Sequence, residues 1–251
     1  MKSEILYGIH PVVEAISANR RDIHEIYLEK GKTSGRISKV QALAESKKIP
    51  VATVKSSTLK SITDTDLHQG VGAKTSGYVY AKFSDIDGNA QKNHSSGLLL
   101  LLDNILDPQN LGALIRTALC VPVVGVIIPK DRSALPTPAV SKASAGALEH
   151  VALIRVVNMV RTINALKEKG WWIAGMDRAA DQSIFFSDLK GLVAVVVGGE
   201  EKGLRPLVKK HCDYLMSIPQ TGPIGSLNAA VAGAIAMYEV FRQRIFLEEK
   251  T

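Results

Sequence analysis

From residue 97 onward, the chain alternates continuous apolar runs with segments whose apolar residues recur at helical spacing. Short uninterrupted apolar runs are typical of strands that are buried on both faces. The predicted strands are residues 98–102, 123–128, 151–156, 171–176, 193–197 and 214–218. Helical spacing between them is found at 111–119, 158–169 and 204–211. This alternation predicts an α/β fold with a parallel sheet and crossover helices.

Residues 1–83 carry shorter and more mixed segments. The predicted elements are a helix over 12–16, a strand over 26–28, a helix over 37–44, a strand over 51–54 and a closing strand over 78–80. This pattern indicates a small α/β domain. The next stretch, SDIDGNAQKNHSSG, is polar and rich in turn-forming residues, which predicts a linker. We therefore predict three parts, which are residues 1–83, 84–97 and 98–251.

Composition and charge narrow the class of partner. The 251 residues are 46% hydrophobic and 22% charged, which is typical of a globular protein with a substantial core. The net charge is +7, and residues 1–83 hold 13 Lys and Arg against 8 Asp and Glu, while the rest holds 18 against 16. A basic surplus concentrated in one domain favours a polyanionic partner. Lysines that only keep a protein soluble give a similar composition.

The sequence disfavours a membrane protein, a secreted protein and a protein built on disulfides or a metal site. The apolar runs are far shorter than the roughly 20 residues of a membrane span. The first residues, MKSEILYGIHPVVEAI, lack the apolar region and the cleavage site of a signal peptide. We therefore expect a cytoplasmic protein without a membrane partner. Cys120 and Cys212 fit a reducing compartment, and their number and spacing suggest neither a disulfide framework nor a metal site.

Polar loops follow three of the predicted strands, and ligands of open parallel sheets bind beyond the carboxyl ends of the strands. The loop from Asp103 to Gly112 contains Asn110, which suits a helix cap or a site contact. Arg116 lies in the apolar helix that follows, where a charge needs a partner or an anionic ligand. The second loop, GGEEKGL from Gly198, lets a ligand approach the backbone. It fits neither a nucleoside triphosphate loop nor a Rossmann motif.

The third loop begins after Ile218, and prolines and glycines interrupt it before a helix lined with small residues. Ser226 and Asn228 precede that helix and suit either helix capping or site contacts. A helix that is small or apolar on all faces is typically buried. Arg242 and Arg244, near its end, are expected to be solvated.

Together, the three loops resemble the motifs of the SpoU, or TrmH-like, RNA ribose 2'-O-methyltransferases. DNILDPQNLGALIRTA from Asp103 resembles the first motif, GGEEKGL from Gly198 the second, and IPQTGPIGSLNAAVA from Ile218 the third. Residues 1–83, which include YGIHPVVEAI, resemble the ribosomal-protein-like (L30e-like) RNA-binding domain of the branch that methylates a guanosine of 23S rRNA. The segments PKDRSA and KASAGALEH support that placement.

The resemblance implies a SPOUT fold, in which a parallel sheet carries a C-terminal trefoil knot. It also implies S-adenosylmethionine as cofactor, RNA as substrate, and a homodimer whose active site is completed across the interface. The residues that match the cofactor-binding positions are Gly198, Gly199, Gly203, Ile218, Pro219 and Leu227. Those that match the catalytic positions are Asn110, Arg116, Glu200, Ser226 and Asn228.

The implied reaction is methyl transfer from S-adenosylmethionine to the ribose 2'-hydroxyl of a guanosine in 23S rRNA. The protein must align the hydroxyl with the methyl group and help to remove the hydroxyl proton. Because a guanidinium is a poor base, our hypothesis is that Arg116 orients the hydroxyl or a nearby phosphate. Glu200 is expected to orient Arg116 or to bind the ribose, and its alternative role is to cap a turn. Two other functions fit, namely the same chemistry on tRNA or another rRNA nucleotide, and a non-catalytic RNA-binding ribosome assembly factor.

Overall fold

The computed structural model describes residues 3–86, 97–222 and 225–248. Its internal contacts divide the chain into two compact units, one of residues 1–79 with 135–150 and one of residues 80–134 with 151–251. Most of the predicted linker, residues 87–96, lies outside the described residues. The predicted bounds at 83 and 98 stay a prediction, and the first unit also takes in a segment from far along the chain.

The helices and strands of the described residues alternate along most of the chain. The strands are β1 (Ser3–Tyr7), β2 (Ile23–Glu29), β3 (Val51–Val54), β4 (Val71–Ser76), β5 (Gly97–Asp103), β6 (Val123–Pro129), β7 (Leu153–Val156), β8 (Trp172–Met176), β9 (Leu192–Gly198) and β10 (Tyr214–Met216). The helices are α1 (Ile9–Ala18), α2 (Gly35–Ser46), α3 (Ser56–Thr63), α4 (Pro108–Cys120), α5 (Pro138–Ala143), α6 (Met159–Glu168), α7 (Pro206–His211) and α8 (Ala229–Glu248).

The first unit is built on a four-stranded sheet in the order β1-β4-β2-β3. β4 pairs antiparallel with β1 and β2, and β2 pairs parallel with β3. Its core contains Leu6, Val12, Ile26, Val40 and Val71, which are fully buried. The predicted elements over 12–16, 26–28, 37–44 and 51–54 are therefore confirmed within α1, β2, α2 and β3.

The predicted closing strand over 78–80 is wrong, because β4 closes the sheet earlier in the chain. β4 has the sequence VGAKTS, in which glycine, alanine and lysine are residues that strands disfavour. Tyr78 serves in side-chain contacts instead. Its ring lies 5.0 Å from the Arg21 guanidinium, and its hydroxyl donates to the Leu148 carbonyl over 3.3 Å. β1 and α3 are also absent from the sequence prediction. β1 has only five residues, and six of the eight residues of α3 are polar.

A buried ion pair joins residues 135–150 to the rest of the first unit. Arg21 donates from Nε to Oε2 of Glu149 over 2.8 Å and from Nη2 to Oε1 over 3.1 Å. Arg21 also donates to Glu4 over 2.6 Å, and the Ser141 hydroxyl donates to Glu149 over 3.0 Å. The side chains of Arg21 and Glu149 are both 0% exposed. A fully paired and hydrogen-bonded arrangement is what allows two such charges to be buried.

The second unit is built on a six-stranded parallel sheet in the order β10-β8-β9-β5-β6-β7. This confirms the parallel sheet predicted from the apolar runs. β5 is buried along its whole length. Three strands are shorter than predicted, since β7 begins at Leu153, β8 begins at Trp172 and β10 ends at Met216.

The C-terminal helix α8 packs against α4 and β9. A Cβ atom on Gly233 would lie 2.3 Å from Cδ2 of Leu114, so the small residue permits close helix packing. Arg242 is exposed and ion-paired with Glu239, as expected for a solvated helix end. For Arg244 that expectation is wrong, because it donates from Nη2 to the carbonyls of Gly97 and Gly191, both over 2.9 Å. The knot stays a prediction.

Candidate functional site

The carboxyl ends of β5 and β9 are held together by Asp103. Its buried carboxylate accepts hydrogen bonds from the backbone N–H of Arg205 over 2.9 Å and from Nε of Arg205 over 2.7 Å. The carbonyl of Asp103 accepts from the Gly199 N–H over 3.0 Å. These bonds fix both ends of the loop that follows β9.

Glycines are required in this loop because backbone packs directly on backbone. A Cβ atom on Gly198 would lie 2.2 Å from the carbonyl carbon of Gly203, and one on Gly199 would lie 2.4 Å from the carbonyl oxygen of Asn104. Gly203 has a φ of 62°, in the left-handed region that favours glycine. Its N–H donates to the Gly199 carbonyl over 2.9 Å, which closes a tight turn.

Three predicted catalytic residues meet in one polar cluster. Asn110 donates from Nδ2 to Oε1 of Glu200 over 2.8 Å. Asn228 donates from Nδ2 to Oδ1 of Asn110 over 2.9 Å and also to Oε1 of Glu200. The three residues come from α4, from the loop after β9 and from the start of α8. Each of the three loops singled out in the sequence thus contributes one side chain to the cluster.

The structure shows which of the candidate residues cap a helix. Asp107, not Asn110, caps α4, since its side chain accepts from the Gln109 N–H over 3.0 Å. Asn228 does cap α8, because its Oδ1 accepts from the N–H groups of Ala230 and Val231 over 2.8 and 3.2 Å. Ser226 lies outside the helix and is exposed.

A pocket opens beside the cluster, where β8, β9 and β10 end. Its lining includes the predicted residues Gly198, Gly199, Gly203, Ile218 and Leu227, together with Glu200 and Ser226. Pro219 is exposed and is not among the lining residues, although its neighbours Ile218 and Gln220 are. A second cavity, which shares residues 199–201 and Ala229 with the pocket, is also lined by residues 104–107 and Asn110.

Sequence reasoning missed the contribution of β8 to the pocket. Met176, Asp177 and Arg178 line it at the end of that strand. Burial acts to raise the pKa of Asp177, but hydrogen bonds from Lys209 and from the Ala179 N–H lower it overall. Asp177 is therefore a carboxylate at neutral pH. The signal that could have found it is its position directly after a predicted strand.

Arg116 is not brought to the cluster. It is exposed, and it makes no hydrogen bond or ion pair with any residue of the described ranges. Six residues separate it from Asn110, which corresponds to about 240° around the axis of α4. The two side chains therefore point to different sides of the same helix.

Across residues 3–86, 97–222 and 225–248, no group of three or more His, Cys, Asp or Glu side chains is placed to hold a metal ion. No helix in those ranges has the length and apolar character to cross a membrane.

The fold and the site define an α/β protein with a pocket at the carboxyl ends of a parallel sheet and a polar cluster beside it to which three loops contribute. Comparison with family models identifies it further. Residues 97–238 match the SpoU rRNA methylase family, and residues 5–81 match the RNA 2'-O ribose methyltransferase substrate-binding family. The chain belongs to the SpoU rRNA methylase family of RNA methyltransferases, as its motifs predict.

Similar proteins support the same placement over the whole chain. A putative TrmH family tRNA/rRNA methyltransferase of Staphylococcus saprophyticus is 38% identical over 250 residues, which cover 100% of both chains. One from Staphylococcus aureus strain COL is 41% identical and covers 97% of this chain and 98% of its own.

Solved structures resemble the fold. The SpoU methyltransferase AviRb from Streptomyces viridochromogenes, in complex with the cofactor AdoMet, has a TM-score of 0.81 at 22% identity, over 97% of this chain and 91% of its own. An AdoMet-bound rRNA methyltransferase from Sinorhizobium meliloti has a TM-score of 0.77 at 23% identity, over 96% and 87% of the two chains.

Proposed function

We propose that this protein transfers a methyl group from S-adenosylmethionine to the ribose 2'-hydroxyl of a guanosine in 23S rRNA, and that it acts in the cytoplasm. The observation that carries the proposal is the Asn110–Glu200–Asn228 cluster beside the pocket. The cluster unites one residue from each family motif at the place where a strand-end ligand is expected. Residues 1–83 would recruit the RNA, and residues 98–251 would carry the chemistry.

The pocket suits S-adenosylmethionine, which would supply an activated methyl group. Met176, Val197, Met216 and Leu227 provide apolar lining. The Gly198–Leu204 loop presents backbone groups, and nothing lies within 4 Å of the Cβ position of Gly203, so the backbone is open to a ligand there. Apolar walls with a few fixed polar groups are typical of small-molecule sites.

Within the cluster, Glu200 and the two asparagines would orient the ribose hydroxyl. Glu200 accepts two N–H groups and is exposed at the rim, so one side of its carboxylate is open to a substrate hydroxyl. Ser226 lines the pocket at the same edge. Holding the hydroxyl in line with the methyl group accounts for much of the acceleration expected of such a site.

Arg116 would complete the site of a second copy in a homodimer. Its guanidinium has no partner among the described residues, and Leu119 on the same helix is exposed. On α8, Val231, Tyr238 and Ile245 are exposed at seven-residue spacing, which corresponds to one side of a helix. We expect these residues to pack against a second copy, as the family resemblance implies.

Methyl transfer tests the proposed reaction. Tritiated S-adenosylmethionine would be incubated with unmodified 23S rRNA and, separately, with unmodified tRNA, and the labelled nucleotide would be mapped. We expect label at the 2'-oxygen of one guanosine in 23S rRNA. Label on tRNA would contradict the assignment to rRNA, and tight RNA binding without transfer would favour an assembly factor.

Subunit mixing tests the role of Arg116. Arg116→Ala and Glu200→Ala should each be inactive as pure proteins. Co-expressed, the two variants should recover about a quarter of wild-type activity, because half of the random dimers are mixed and each mixed dimer has one complete site of two. Lack of recovery would place both residues in one subunit's site. Arg116→Lys should remain slow, since it keeps the charge but loses the planar fork.

A further inference from the structure

The sheet of the first unit gathers four chain turns at one edge. β1 and β2 both run antiparallel to β4, and β3 runs parallel to β2. In the register, Tyr7 lies opposite Gly72, Leu28 opposite Val71, and Glu29 opposite Val54. The ends of β1, β2 and β3 therefore lie at the same edge of the sheet as the start of β4. We call this edge the carboxyl edge and define it by residues 8–10, 29–36, 54–57 and 68–70.

Hydrogen bonds join these turns into one continuous surface. The Ile9 N–H donates to the Gln69 side chain over 3.3 Å, and the Gly8 N–H donates to the Val71 carbonyl over 3.0 Å. The Glu29 N–H donates to the Gly70 carbonyl over 3.0 Å, and the Lys30 N–H donates to the Val54 carbonyl over 2.7 Å. The backbone of the four turns is thus held at fixed positions.

The carboxyl edge is basic. Lys30, Lys32, Arg36 and Lys55 are exposed on it. Glu29 is the one carboxylate within its defining residues, and it is already engaged by Lys32 at 3.4 Å and by a hydrogen bond from Ser56. Lys30, Arg36 and Lys55 make no ion pair with any residue of the described ranges. By contrast, Glu4, Asp22 and Glu25 lie near the opposite ends of the strands.

Lys142 adds a charge from a distant part of the chain. Its Nζ lies 2.6 Å from the position that a Cβ atom on Gly8 would occupy, at the start of α1. It is partly buried, and burial lowers the pKa of its amine. Within the described residues, it has no ion-pair partner. Lys142 lies outside residues 5–81, the range that matches the substrate-binding family.

These charges are unfavourable for the first unit by itself. α1, α2 and α3 all begin at the carboxyl edge, at Ile9, Gly35 and Ser56. The positive end of each helix dipole is therefore added to the lysines and Arg36, although cations are disfavoured near helix N-termini. A polyanion bound across the edge would offset this repulsion, and Lys30, Lys55 and Lys142 have no protein carboxylate that does so.

We propose that the carboxyl edge binds the phosphate backbone of the RNA substrate, and that Lys142 is part of this surface. The inference rests on the proposed function, because it takes RNA as the partner. Phosphate contacts from lysine and arginine position a protein on RNA without reading its sequence. They would bring structured rRNA to the enzyme largely by its charge and shape.

The test compares matched lysine variants of the full-length protein. Lys30→Ala/Lys55→Ala removes two charges from the edge, and Lys142→Ala removes the third. The control is Lys47→Ala/Lys74→Ala, because both lysines are exposed and lie away from the edge. This double variant loses the same number of positive charges as Lys30→Ala/Lys55→Ala. The dissociation constant for unmodified 23S rRNA would be measured for each protein at several salt concentrations.

We expect weaker binding and a shallower salt dependence for the edge variants alone. The slope of log K against log salt should fall by about 2 for the double variant and by about 1 for Lys142→Ala. Wild-type slopes in both edge proteins would overturn the proposal, and a wild-type slope in Lys142→Ala alone would remove Lys142 from the surface. Methyl transfer is scored separately. If the wild type transfers methyl groups but the edge variants bind RNA as the wild type does, only the proposed surface is refuted. If RNA binding depends on the edge lysines but no methyl transfer occurs, only the enzymatic function is refuted.

Discussion

Removing the Glu149 carboxylate should destabilise the protein far more than removing an exposed carboxylate of the same unit. Glu149→Ala deletes both hydrogen bonds from Arg21 and the acceptor of Ser141. Arg21 then keeps its ion pair with Glu4 and its contact with the Tyr78 ring, but it loses its buried carboxylate partner while its side chain is 0% exposed. Removing one partner of a buried ion pair lowers the free energy of unfolding by about 3–5 kcal/mol. In a protein of this size, that corresponds to a fall in Tm of roughly 6–20 °C.

Asp66→Ala is the matched control. Asp66 lies 2.8 Å from Lys60, with side chains that are 74% and 58% exposed, so its loss should cost only about 0–1 kcal/mol. Both variants would be followed by scanning calorimetry and by urea denaturation monitored by circular dichroism. Glu149→Gln should fall between them, since it keeps the shape and some hydrogen bonds. If Glu149→Ala and Asp66→Ala differ by less than about 1 kcal/mol, burial of the ion pair is not what stabilises this unit.

Three further predictions concern the second unit. Gly198→Ala should weaken S-adenosylmethionine binding about 5- to 150-fold in calorimetric titration, because overpacking at a 2.2 Å backbone contact costs about 1–3 kcal/mol. The control is Gly222→Ala, which should bind normally because no atom lies within 4 Å of the Cβ position of Gly222. Asn228→Ser should keep the thermal stability but lose methyl transfer. Asn228→Ala should lose both, because loss of the helix cap lowers the free energy of unfolding by about 1 kcal/mol. Full methyl-transfer activity in Asn228→Ser would contradict a role of Asn228 in the site. Burial raises the pKa of Cys212 to about 12, so in a Cys120→Ser background iodoacetamide at pH 8 should label Cys212 only after unfolding, as read by mass spectrometry.

The sheet of the second unit could be predicted because its strands are buried on both faces. Such strands appear as runs like Leu98 to Leu102, which no helix of ordinary amphipathicity would show. In the first unit, β1, β2 and β3 are only partly buried, and β4, which is buried except at Lys74, contains glycine, alanine and lysine in place of a run of large apolar residues. Its signal is therefore weaker than that of the tyrosines that follow it, which explains the misplaced closing strand.

Long-range pairing is the part that pattern reasoning could not supply. Nothing near Glu149 in the sequence indicates that its partner is Arg21, and this pairing is one of the contacts that join residues 135–150 to the rest of the first unit. Arg244 is a similar case, because the carbonyls of Gly97 and Gly191 that receive its hydrogen bonds lie far away in the chain. In each case, the sequence shows a charge, and only the fold supplies the group that compensates for it.

Asn228 shows why a helix cap and a site contact need not be alternatives. Its Oδ1 accepts the first free N–H groups of α8, and this leaves Nδ2 pointing toward Asn110 and Glu200. The cap therefore sets the direction of the donor, at the start of a helix that is itself anchored on α4 and β9. A serine would cap but has no second donor, and an aspartate would cap but place a carboxylate against Glu200. Asparagine alone among the common capping residues satisfies both demands, so the loop that precedes α8 positions the cluster by the same bonds that begin the helix.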